Sequence, residues 1–435
     1  MKSKMNKRLL TVLLLTGSCF LSGWSQQLPD SLVSYLEIAA RNNPEVRQKL
    51  YEYQAALEKV PQAGSLPDPE LTAGVMLRPM ELVNGRQVAD LKLMQMFPWF
   101  GVLRNAKDEM SLMAKAKFEV FRDAKLKVDF DVSSTWYELY KVRKNSDIAQ
   151  RNLLILETIE RLATVKFQSA SGGSSGLADI YRIQMEEGEL RNKVDLLKDR
   201  DNSIMARFNG YLDRQPETPV YTPDSLIMDT LAVSLYDVSD SIMKNNPMLT
   251  MLDLERQSYE AMSEKAGKMG YPVVGLGLDY TVMGKKATPA NAMNGMDMVM
   301  PMISVTIPLY RKKYQAKVRE ADLLIKAAAD NYTAIANMLQ TEYYEAVQKY
   351  RDAGRRFRLY SAQYLLASRT LEIIMIDYTT STAQMTDLLR VRQKVYDYEL
   401  KKAEALHPAA AYPVPILNMF SGTTLGFTPA SASLS

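Results

Sequence analysis

Cysteine and histidine are almost missing from this 435-residue chain: there is one of each, Cys19 and His407. That leaves little for nucleophilic or general-base catalysis and removes most zinc sites. Long apolar runs are also missing once the first 25 residues are set aside. No later stretch reaches the roughly 18–20 residues of a spanning helix, so any membrane crossing must use strands. Net charge is small as well, with 54 basic against 50 acidic residues. The opening segment carries four of the basic ones (Lys2, Lys4, Lys7, Arg8) and no acid, so the remainder is near neutral and offers no electrostatic footprint for nucleic acid.

That opening segment reads as an export signal over 1–25. A charged start leads into an apolar core from Leu9 to Leu21, then Gly23-Trp24-Ser25 before a cleavage point near Gln26. Cys19 follows Leu15-Thr16-Gly17-Ser18 and could instead accept a lipid. Leucine stands four residues before it instead of three, and Phe20-Leu21 follow, so simple cleavage is the preferred reading. A mature chain without thiol has no disulfide framework.

What the chain has instead is duplication. Asn42-Asn43-Pro44 returns as Asn245-Asn246-Pro247, and Phe97-Pro98 returns as Ile307-Pro308. Each copy reads as a helix, two alternating segments, and a long helical hairpin. The first repeat spans 26–212, with a helix over 31–63, strands over 70–78 and 87–97, and a hairpin over 102–209. A linker covers 213–233. The second repeat spans 234–406, with a helix over 236–268, strands over 273–283 and 298–307, and a hairpin over 312–405. The tail, 407–435, is rich in proline, alanine and serine and reads as disordered.

The four alternating segments have period two. Leu71, Ala73, Val75 and Leu77 share a face, as do Ala89, Leu91 and Leu93. So do Val274, Leu276, Leu278, Tyr280 and Val282, and likewise Val299, Ile303, Val305 and Ile307. About ten residues suffices for a tilted strand to cross a bilayer. Aromatics gather at one strand end, with Phe97, Trp99, Phe100, Tyr271 and Tyr310 placed as membrane-interface residues. The hairpin helices run for some 65 residues, near 100 Å, with narrow apolar stripes such as Ala321, Leu324, Ala328, Tyr332, Ile335 and Leu339. Such rods fit coiled-coil packing better than a globular core. Four strands leave two open edges, which cannot persist in lipid, so several copies must close a barrel together.

With its doubled halves, its Asn42-to-Arg47 opening, its proline exits and its Tyr378 placed before Asp387-Leu388-Leu389, the chain resembles the outer-membrane efflux duct family typified by TolC, from about Ser31 to Leu406. The resemblance implies a mainly α fold with a membrane β-barrel portion. In the family, three copies form a twelve-stranded barrel continuous with a twelve-helix periplasmic tunnel. It implies a passive export duct for drugs, toxic compounds or metal ions, fed by an inner-membrane pump through a periplasmic adaptor. It implies outer-membrane lipid as surroundings, and no cofactor, catalysis or nucleic acid.

The same resemblance places a gate at the hairpin tips. Asp179 and Asp387 match the family's tip aspartates and Tyr378 its gate tyrosine, with Phe167 at the corresponding place in the first hairpin. Where the family has an arginine and a second acid, this chain has Ala383 and Arg390, so any lock must use other partners, Arg182 or Arg390 with Asp179 or Asp387. The tips Ser169, Ala170, Ser171 and Thr379, Thr380, Ser381 are the expected adaptor-docking points. The 26 methionines, three of them on one face at Met298, Met300 and Met302, leave open a soft-metal reading. They also suit flexible filling. The rival to the duct is a periplasmic coiled-coil scaffold with no transport role.

Overall fold

In a computed structural model, residues 32–169, 174–224, 244–287, 292–380 and 383–411 are described. The signal and lipid-acceptor expectations (1–25, Cys19) lie outside them, as does the tail from 412; its first residues, 407–411, expected to be disordered, are helical. The elements are α1 (Leu32–Asn42), α2 (Pro44–Gly64), β1 (Glu70–Leu82), β2 (Gly85–Phe97), α3 (Val102–Ser169), α4 (Ser174–Tyr211), α5 (Pro247–Lys268), β3 (Val273–Gly284), β4 (Met298–Thr306), α6 (Arg311–Thr379) and α7 (Met385–Ala411).

The single helix expected over 31–63 is two, broken at Asn43. Its side-chain oxygen accepts from the backbone N–H of Glu45 (2.9 Å) and Val46 (3.2 Å), while Pro44 opens α2 without needing a donor of its own. Asn246 repeats this for α5, accepting from Met248 (2.9 Å) and Leu249 (3.3 Å). Both asparagines are buried. Asn43 additionally donates to the Tyr211 carbonyl at 2.9 Å, tying the start of α2 to the end of α4. Asn43→Ala therefore removes a cap and orphans a carbonyl. The expected cost is about 1–2 kcal/mol, read from the denaturation midpoint against Asn43→Asp, which keeps the cap alone.

The strands form one antiparallel sheet in the order β1-β2-β3-β4. Its registers line up the alternation found in the sequence. One row reads Leu71, Leu93, Leu278, Pro301, and another Ala73, Leu91, Tyr280, Val299. This apolar face packs against nothing: Leu71, Val75, Leu278, Ile303 and Val305 are all exposed. The opposite face carries rows such as Thr72, Lys92, Asp279, Met300 and Asp90, Thr281, Met298. The strands overrun the expected bounds, β1 to Leu82 and β2 from Gly85. Gly85 permits the two-residue turn between them, with φ of 142° and no room for a Cβ beside the Gly284 carbonyl.

The core lies among the helices. α3, 68 residues long, packs against α1, α2, α4, α5 and α7. Its buried residues Val132, Leu139, Ile148, Leu156 and Ile159 meet Ile183 and Phe208 of α4 and Leu388 of α7. A second cluster joins Leu249 of α5 to Leu339 and Tyr343 of α6. Residues 213–224 of the linker dock on this body. The Tyr221 N–H donates to the Tyr35 hydroxyl (2.9 Å), and Trp136 donates to the Tyr221 carbonyl (3.0 Å). The returning helix α7 continues to Ala411, through His407-Pro408, beyond the expected end at 405. No described helix is long and apolar enough to cross a membrane.

Candidate functional site: the hairpin ends

The two hairpins come together near their tips because α3 packs on both α4 and α7. Tyr378, in the last turn of α6, is buried between them. Lys166 of α3 reaches across, donating to the Tyr378 carbonyl at 2.9 Å with its ammonium 4.1 Å from the ring centroid. A cation over a tyrosine face is worth about 0.5–1 kcal/mol at an exposed site and more when desolvated. Burial raises the Tyr378 hydroxyl pKa above its usual value, and the Asp179 carboxylate adds to the rise. Tyr378 and Asp179, predicted separately from the two hairpins, thus feel each other across the hairpin boundary.

The arginines behave differently from a cross-hairpin lock. Arg182 pairs with Asp179 at 3.1 Å and Arg390 with Asp387 at 3.6 Å, each along its own helix with i,i+3 spacing. The Arg182, Asp387 and Arg390 side chains are more than half exposed, so these pairs are worth only a few tenths of a kcal/mol. Phe167 lies against Gly176, closing the base of the first tip, where a Cβ would approach its ring to 2.9 Å. Thr379 and Thr380 finish α6 by donating to the Ile376 and Asp377 carbonyls at 2.7 and 3.1 Å. Ser169 ends α3, while Ala170, Ser171 and Ser381 fall outside the described residues.

The strong cross-hairpin tie is one that sequence spacing did not reveal. Arg392 of α7 is 2% exposed and forms an ion pair with Glu186 of α4. Burial lowers the guanidinium pKa, and Glu186 opposes that fall. A charge this deep persists because Glu186 and Gln393 accept from one terminal nitrogen in place of water, although its Nε is buried without a hydrogen-bond partner. Arg151 of α3 pairs with Glu399 of α7 at 2.7 Å, adding a second tie between the repeats. Beside them, Glu187 is buried and its carboxyl pKa is raised by burial first and by Glu160 second. The hairpin ends are therefore a set of carboxylates, two buried or half-buried cations and one tyrosine, joined across helices by side chains.

The predicted interface aromatics sit at the other end of the helices. Trp99 stacks on Tyr271 with centroids 5.2 Å apart and planes 14° from parallel, and meets Phe100 edge-on at 5.9 Å. Phe97, Phe100, Tyr271 and Tyr310 are exposed where the strands pass into helices.

Solved structures share this fold. The outer membrane protein VceC of Vibrio cholerae matches with a TM-score of 0.76 at 14% identity, over 90% of this chain and 96% of that one. The outer membrane channel CmeC of Campylobacter jejuni matches with a TM-score of 0.75 at 14% identity, over 90% and 85%. The outer membrane channel MtrE of Neisseria gonorrhoeae, in its open state, matches with 0.73 at 14%, over 91% and 90%. The fold is that of an outer membrane channel. No family model and no curated protein sequence matches, so the likeness lives in architecture and not in residue identity. Within the outer membrane channel fold, the bare apolar sheet face and the hairpin ends are the two places where this chain's own residues must be read for function. Among the described residues no group of three or more His, Cys, Asp or Glu side chains could hold a metal ion.

Proposed function

We propose that this chain is one protomer of a trimeric, passive export duct in the outer membrane, working with a periplasmic adaptor and an inner-membrane pump. The observation that carries this reading is the sheet: four strands of 9–13 residues, one face apolar but for Gln95 and largely exposed, both edges unpaired, mounted on two helical hairpins. An open edge in lipid leaves backbone donors and acceptors without partners, at several kcal/mol each. Joining β4 of one copy to β1 of the next removes every edge, and three copies give twelve strands. Apolar residues left bare on the hairpins suit the same closure. Leu359, Leu366 and Ile373 recur every seven residues on α6, and Leu177, Tyr181 and Met185 every four on α4. Seams of this kind pack helix to helix.

Selection of cargo then belongs to the pump, and the duct's own control lies at the hairpin ends. Asp179 and Asp387, repeated threefold, form a ring of carboxylates that repels anions and holds cations. Tyr378, Lys166, Arg392 and Glu186 hold the ends together, and an adaptor touching Ser169–Ser171 and Thr379–Ser381 opens them by offering better contacts to the parted form. Asp179→Ala with Asp387→Ala is expected to raise conductance in planar bilayers and weaken block by multivalent cations. Unchanged conductance and block would take these residues out of the gate.

Electron microscopy of the detergent-extracted protein tests the assembly. The expected particle is a threefold tube on the order of 140 Å long, about 100 Å of it helical. Two-stranded rods or monomers would favour the scaffold reading, as would protection of the 284–297 loop from protease added to intact cells.

A further inference from the structure

The non-lipid face of the sheet carries a chemistry that a water-lined wall does not need. Met94 and Met96 of β2 and Met298, Met300 and Met302 of β4 all lie on it. Between them β3 contributes glycine at two successive same-face positions. One row reads Met94, Gly277, Met302, and the next Met96, Gly275, Ser304. The methionines of β2 fold over this gap. A Cβ built on Gly275 would meet the Met96 sulfur at 2.6 Å and the Met94 sulfur at 3.1 Å, and one built on Gly277 would meet the Met94 sulfur at 3.0 Å. Two thioethers therefore crowd one point above the β3 backbone, and the third, Met302, borders the same gap from the far side.

Filling is the usual work of methionine, but filling needs an apolar space. The interior of such a barrel is polar and wet, and this sheet places most of its leucines, valines and isoleucines on the opposite face, with Val273 on the methionine side. Thioethers exposed to water are neutral, soft donors, and they select monovalent Cu(I) and related d¹⁰ ions over hard divalent ones. The next row brings Asp279 into register with Lys92, so the surroundings add no strong positive field against a single charge.

We propose that Met94, Met96 and Met302 form a thioether site for a soft monovalent cation, Cu(I) or Ag(I), at the end of the sheet nearest the helices. All three donors come from one chain, so binding needs no partner copy; the wet surroundings of the site and its position on a conduction path rest on the duct reading. Threefold assembly would repeat it as a ring around the passage.

The probe is Ag(I) in chloride-free buffer, added to the full-length purified protein. The expected result is saturable binding by equilibrium dialysis, with sulfur-only coordination in X-ray absorption. Met94→Leu, Met96→Leu and Met302→Leu combined should weaken binding at least tenfold. Leucine keeps the volume close to that of methionine, and Met338→Leu, an exposed helical methionine, should change nothing. Absence of silver–sulfur coordination in the native chain, or undiminished affinity in the triple variant, overturns the proposal. Particle symmetry, read on the same samples, separates the two ideas. Threefold tubes without silver binding refute the site alone, and silver binding by non-threefold protein refutes the duct alone.

Discussion

Glu186→Ala should cost about 3 kcal/mol of stability and leave the hairpin ends parted. The substitution strands Arg392, whose side chain is 3% exposed, as a buried charge without its counter-ion. Breaking buried pairs from one side costs roughly 3–5 kcal/mol. The lower end applies because Glu186 itself is about one-third exposed, so water partly screens the pair. Adding Arg392→Met removes the stranded charge and should restore most of the thermal midpoint, measured by the helical circular dichroism signal in detergent. Conductance discriminates further. If the pair ties α4 to α7 as a gate element, both the single and the double variant conduct more than the native protein. Recovery of stability together with recovery of the closed state would mean that packing holds the ends and the ion pair does not.

The second large effect concerns the bare sheet face. Leu278 stands at the middle of β3 in a row with Leu71, Leu93 and Pro301. Under the barrel reading, Leu278→Arg puts a guanidinium at the bilayer midplane, at about 2–4 kcal/mol per copy, and threefold symmetry compounds it. The expected outcome is a sharp fall in assembled protein recovered from outer membranes. Thr281→Arg, three residues along and on the other face, should assemble normally and shift ion preference toward anions. Equal recovery of both variants would contradict a lipid-facing assignment for Leu278, and equal loss would place both faces in packed protein.

Strand pairing was legible because its code is local. Period-two alternation in Leu71 to Leu77 and Val274 to Val282 specified which side chains share a face, and a one-residue slip would have inverted the set. Duplication then supplied the order of elements. The helix break at Asn43 was present in the letters, since Asn before Pro is a cap followed by a first-turn residue, yet apolar spacing on both sides read as continuous helix. At the hairpin ends, Asp179 and Tyr378 were singled out through resemblance alone, and the structure sets them within electrostatic reach of each other. The Arg392–Glu186 pair was not anticipated. Their contact is fixed by how two helices lie side by side, 206 residues apart in sequence, and no local spacing encodes that. Arg182 and Arg390 illustrate the converse. Their aspartates stand three residues away, and that nearest choice is the one the helices make.

The central seam of the sheet has a consequence for how the molecule is built. β1 joins β2, and β3 joins β4, through neighbouring strands in the chain, but β2 meets β3 through pairs such as Phe97 with Val274. Everything from α3 to α5 must be threaded out before those two strands can zip. Each half-sheet can therefore form early and wait, while the joining step carries the entropic burden of closing a very long loop. During that wait four strand edges stand open instead of two, and the nascent chain is at its most adhesive. An escort that shields strand edges would act in that interval.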